Sequence, residues 1–227
     1  MTITSMNKQE RLLCGIYLGF QLLLLPSILL RVNTLLPIPF SEAKLNFVYF
    51  LINFLCLGVI CHRYLLRSTK ALTHCPWQFV LTVAAALAVY YFATLAVGQL
   101  IILWMSDFYN VNDSSIFSMA EAEYVLTVIG TVFLVPVAEE VLYRGLLFGS
   151  LHRRSPVIAY LVSVPAFCVI HVMGYIGMYP PRQLLLCLLQ YVPAGDILAW
   201  TYGRTGTVLA PIIIHTIINA TGIFAVR

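Results

Sequence analysis

Seven apolar runs, most of them long enough to cross a bilayer as helices, divide this chain from end to end. They are Leu12 to Leu30, Leu45 to Cys61, about Gln78 to Met105, about Tyr124 to Leu151, Pro156 to Met173, Gln183 to Trp200 and Thr207 to Val226. Hydrophobic residues make up 61% of the 227 and charged residues 10%, with a mean hydropathy of +0.91, so the polar surface that a soluble domain of this size needs is missing. The expectation is an all-α, polytopic transmembrane bundle of about seven spans, six to eight. It forms one integral membrane domain, with residues 1–123 as N-terminal helices and an external loop, and residues 124–227 as the transmembrane core.

Lys8 and Arg11 before the first run resemble the start of a signal peptide. The run is long enough to span, however, and Arg31 follows it without a small-residue cleavage pattern, so a retained first span is expected. Asp107 to Glu123 reads as one long polar connection, with Asp107, Asp113, Glu121 and Glu123 and no Lys or Arg. Within it Asn112-Asp113-Ser114 is formally a glycosylation sequon, which matters only in a eukaryotic secretory compartment.

The net charge of +4 does not mark a nucleic-acid partner, because the basic residues lie between apolar runs and form no patch with interleaved aromatics. Alternating the spans places Lys8, Arg11, Arg63, Arg67, Lys70, Arg153, Arg154 and Arg204 on one side, against Arg31, Lys44, Arg182 and Arg227 on the other. The amino terminus is therefore expected in the cytoplasm and the carboxyl terminus outside. Cys14, Cys56, Cys61, Cys75, Cys168 and Cys187 mostly sit inside apolar runs without a C-x-x-C pair, which fits packing better than disulfides or a zinc site.

Inside the fourth run, Val135-Pro136-Val137-Ala138-Glu139-Glu140-Val141-Leu142-Tyr143-Arg144 holds two acids and an arginine. Each costs about 2.5–3.5 kcal/mol on insertion scales, so their presence calls for a role. Glu140 and Arg144 are four residues apart and face each other, while Glu139 points about 100° away around the helix. A structural ion pair and a functional one both read from Glu140 and Arg144, whereas the expense of an unpaired buried carboxylate favours function for Glu139. Pro136 cannot donate its backbone hydrogen bond and is expected to bend the helix or open space beside Glu139.

Two later runs carry His171 and the pair His215 and Asn219, which share one helix face. A lone histidine on an apolar helix is most often a packing residue. An unpaired Glu, two His and an Asn on three spans point instead to a shared site. Such a set supplies what amide hydrolysis needs: Glu139 with His171 to activate water, and His215 with Asn219 to hold the oxyanion, while Arg144 holds Glu140 and fixes the motif helix.

Glu139-Glu140-x-x-x-Arg144, Phe167-x-x-x-His171 and His215-x-x-x-Asn219, in that order, resemble the motifs of the CAAX protease and bacteriocin-processing family, also called CPBP or Abi. The resemblance covers roughly residues 124–225 and includes Gly203-Arg204-Thr205-Gly206-Thr207 leading to Ala210-Pro211. It implies a glutamate-dependent intramembrane endopeptidase without a cofactor. Glu139 would be the base, Glu140 and Arg144 would assist, His171 would position water, and His215 and Asn219 would contact the oxyanion. Asp196 departs from the small or apolar residue expected at its place and reads as a helix-start or loop carboxylate, or as a contact to substrate.

The alternatives are a zinc protease ligated by Glu139, His171 and His215, a transporter relaying protons, and a non-catalytic immunity or scaffold protein. The expected partners are a peptide or protein substrate at the membrane and the lipid bilayer, with no nucleic acid. The compact length and the lack of a eukaryotic retention signal lean towards a bacterial plasma membrane.

Overall fold

A computed structural model describes residues 3–71 and 76–225; Cys75, Val226 and Arg227, invoked above, lie outside them. Among the described residues the chain is helical, apart from one isolated bridge between Ile176 and Tyr179. Five helices are long and apolar enough to cross a membrane: α3 (Glu42–Ile60), α5 (Pro76–Trp104), α7 (Tyr124–His152), α8 (Pro156–Met173) and α9 (Pro181–Thr205). The bent pair α1 (Lys8–Leu23) and α2 (Leu25–Leu35) counts as a sixth span, and the shorter apolar α10 (Leu209–Phe224) completes the seven runs. α4 (His62–Ala71) and α6 (Val111–Ala122) are polar helices between spans.

The ends of these helices are written in the local sequence. Asn7 caps α1 reciprocally with Glu10, each side chain accepting the other's backbone N–H at 2.8 and 2.7 Å. Ser41 caps α3, and Ser155 with Pro156 opens α8. Gly206 closes α9 at φ 71°, a left-handed position suited to glycine, and donates to the Tyr202 carbonyl at 2.9 Å.

Two expectations are corrected. The first run is not one straight span: it breaks by 48° where Pro26, in the first turn of α2, has no N–H to continue the ladder. The expected polar connection Asp107 to Glu123 contains a helix, α6, capped by Asn110, whose side-chain oxygen accepts from the backbone N–H groups of Asn112 and Asp113. The Asn112 amide of the sequon is engaged within the protein, donating to the Tyr191 hydroxyl at 3.0 Å.

α7 is the axle of the bundle, with α3, α8, α9 and α10 packed around it. α5 closes the far side against α9 and α10, and turns Phe92, Leu95, Leu100 and Leu103 outward. At one end the chain ties its basic segments together. The Thr4 N–H donates to Gly206 O at 2.8 Å, Tyr202 donates to Thr4 O at 2.6 Å, Thr207 to Ser68 O at 2.9 Å, and Arg67 pairs with Glu10 at 2.6 Å. Cys14, Cys56, Cys61, Cys168 and Cys187 are free thiols.

Candidate active site

α7 is not a uniform α-helix. Two wide π-type stretches, Ile129–Leu134 and Val141–Phe148, flank the short α-helical segment Val135–Glu140 that contains Pro136 and both acids. Each wide turn shifts the register of the side chains that follow, so the facing of Glu139 and Glu140 is set by these turns together with the proline.

Glu140 is fully buried, and its Oε1 accepts from two cations or potential cations: Arg144 Nη1 at 3.1 Å and His215 Nδ1 at 2.8 Å. Arg144, also fully buried, sends Nη2 to the Gly195 carbonyl at 3.2 Å and lays its guanidinium over the Phe167 ring at 4.3 Å. One carboxylate and one arginine thereby join α7, α8, α9 and α10. α8 and α9 approach closely at this point, since a Cβ on Gly195 would lie 2.8 Å from Val164 Cγ1.

Glu139 is placed differently. It lines a cavity of about 620 Å³, and its buried Oε2 has no hydrogen-bond partner among the described residues. His171, His215 and Asn219 line the same cavity, as do Asp113 and Tyr191. His171 Nδ1 lies 2.8 Å from the carbonyl of Phe167, one helical turn back. A carbonyl only accepts, so Nδ1 carries the proton and the neutral ring keeps its lone pair on Nε2. The imidazole contacts Phe167, at 4.7 Å between centroids, and Tyr191, stacked at 4.2 Å and 27°.

On α10, His215 turns to Glu140, and Asn219 Nδ2 donates to Thr131 O in the first wide turn at 2.8 Å. The pair expected to address one small target together is thus anchored at two places on α7, with both residues still on the cavity wall. A smaller cavity of about 180 Å³ meets the same His171, His215 and Asn219 from the side of α5.

Of the residues singled out in the sequence, Glu139, His171, His215 and Asn219 therefore share the cavity, and Glu140 and Arg144 form its buried support. Asp196 is neither at a helix start nor in a loop: it lies exposed in the interior of α9, outside both cavities. Tyr191 was not singled out, because its contacts with His171 and α6 join elements distant in sequence. Asp113 was read only as a loop acid, although the cap at Asn110 is a legible helix start. Among the described residues no group of three or more His, Cys, Asp or Glu side chains is arranged to hold a metal ion.

Residues 121–221 match the family described as Rce1-like, type II CAAX prenyl endopeptidase, the same family that the three motifs resemble. All seven residues named in the three motifs fall inside that segment. UPF0177 protein YxdF of Lactococcus lactis subsp. lactis (strain IL1403) is a relative, 29% identical over 94 residues. Those residues are 41% of this chain and 46% of that protein, so the chain spans about half the length of the curated relative it matches. No solved structure matches the chain.

Proposed function

We propose that the chain is a CAAX-type intramembrane endopeptidase that hydrolyses a peptide bond in a membrane-associated peptide or protein. The observation that carries this reading is the unpartnered Glu139 carboxylate in one cavity with His171, whose Nδ1 is committed to Phe167 O. A half-buried carboxylate with an unpartnered oxygen is costly, and a hydrolytic base is a use that accounts for the cost.

In this mechanism Glu139 takes a proton from a water held by His171 Nε2, and the hydroxide adds to the substrate carbonyl carbon. The oxyanion is received by two donors on α10. Asn219 has a second amide hydrogen beyond the one given to Thr131 O. His215, with Nδ1–H on Glu140, donates to the oxyanion from Nε2–H in its doubly protonated form. The C–N bond then breaks, the proton held by Glu139 passes to the leaving amine, and a carboxylic acid and an amine remain. Arg144 holds Glu140 in place.

The tied, basic end of the bundle is assigned to the cytoplasm, and a bacterial plasma membrane is the assigned location. Comparing peptides released by cells carrying the parent chain and Glu139→Gln, at equal protein levels, tests the activity. A product present only with the parent is expected; identical release refutes the reading. Product formation that survives thorough chelation is also expected, whereas loss restored by added zinc would overturn the metal-free mechanism.

A further inference from the structure

We propose that Asp113 and Tyr191 are positioning residues for His171: the Asp113 carboxylate anchors the Tyr191 hydroxyl, and the anchored ring fixes the plane of the imidazole. The inference rests on the hydrolytic reading above and adds to the site a helix, α6, that lies almost wholly before the family-matched segment 121–221.

The Tyr191 hydroxyl has one hydrogen to give. Asp113 Oδ1 lies 2.7 Å away and Asn110 Oδ1 3.3 Å, so the hydrogen goes to Asp113, while Asn112 Nδ2 donates into the same oxygen at 3.0 Å. Asn110 in turn donates to Gln190 Oε1 at 2.9 Å, so the first turn of α6 grips two successive residues of α9. Burial pushes the Asp113 carboxyl above the usual carboxylate range, and the hydrogen bond from Tyr191 opposes that push.

Among the described residues the imidazole has a single hydrogen bond, from Nδ1 to its own helix, and one bond leaves the ring free to swing about it. Tyr191 removes that freedom by stacking on the ring at 4.2 Å and 27°, with the tilted Phe167 ring at 4.7 Å as a second contact. Nε2 then points where the ring plane directs it. Proton-transfer geometry is unforgiving: a displacement of about 1 Å can cost on the order of 100-fold in rate. Because Tyr191 and Asp113 also line the cavity, direct contact with substrate is the competing role, and it predicts a different kinetic signature.

The test uses the purified full chain in liposomes, with a quenched fluorogenic peptide that spans the cleavage found by comparing the parent with Glu139→Gln. Tyr191→Leu, which removes the ring, is expected to lower kcat by about tenfold or more with KM within about twofold. Tyr191→Phe and Asp113→Ala each remove the same hydrogen bond, so each should lower kcat about three- to tenfold, and the double variant should be no worse than either. Asp113→Asn, which still accepts from the hydroxyl, should recover most of the rate.

A raised KM at parent kcat would show substrate contact, multiplicative losses in the double variant would show independent roles, and a parent-like kcat for Tyr191→Leu would show no role. Each of these overturns the proposal. Should Tyr191→Leu fail to accumulate, the near-isosteric Phe and Asn variants decide. If Glu139→Gln is inactive while these variants match the parent, only this inference falls; if Glu139→Gln matches the parent, the hydrolytic reading falls and takes it along.

Discussion

Glu139 and Glu140 are neighbours in sequence with different circumstances. Glu140 shares one oxygen between Arg144 and His215 and leaves the other unpartnered, whereas Glu139 faces the cavity and its buried Oε2 has no hydrogen-bond partner among the described residues. Substitutions should therefore separate stability from activity. Arg144→Ala strands a fully buried carboxylate and should cost on the order of 3–5 kcal/mol, seen as a lower melting temperature and lower abundance in the membrane. Arg144→Lys should restore little, because a single ammonium does not reproduce the fork that reaches Glu140, Gly195 O and the Phe167 face. Glu139→Gln should leave the melting temperature at or above that of the parent while abolishing cleavage, since it removes a charge that makes no stabilising contact. His171→Ala and His215→Ala should each abolish cleavage as well, and His215→Ala should lower the melting temperature, through the bond lost at Glu140.

Among the elements, two positions sensitive to a single methyl group are where α8 meets α9 and where α9 ends. Gly195→Ala would bring a Cβ within 2.8 Å of Val164 Cγ1 and should destabilise by about 1–3 kcal/mol in thermal unfolding. Gly206→Ala places a side chain at φ 71° and should cost about 1 kcal/mol by the same measurement. The spans themselves were legible because apolar runs of bilayer length have few other uses, and caps at Ser41 and Ser155 mark their starts. The break at Leu24 was half legible, as Pro26 stands inside the run, but a proline bends a helix by an amount that sequence does not give. The wide turns of α7 were not legible, because they depend on which neighbours take up the backbone groups. For the same reason the pairing of His215 with Glu140, separated by 75 positions, had no local signal. The helix of α6 escaped because its polar side chains are used for contacts with α9, and a polar stretch otherwise reads as a loop.

For the molecule as a whole, the contacts of Thr4, Arg67 and Thr207 bring the amino-terminal segment, α4 and the turn before α10 to one end, where most of the basic residues also lie. In a background lacking the native thiols, Ser41→Cys should react with a membrane-impermeant reagent added outside intact cells, and Ser155→Cys only after the membrane is opened. The reverse pattern would invert the assigned orientation. The fork at Glu140 has a consequence for genetics. Since one oxygen serves partners on two helices, a chain crippled by loss of Arg144 is relieved by discarding the stranded acid too, for an apolar residue of like size. Screening suppressors of Arg144→Ala for abundance should therefore recover changes at codon 140, whereas screening for proteolysis should recover only reversion to arginine.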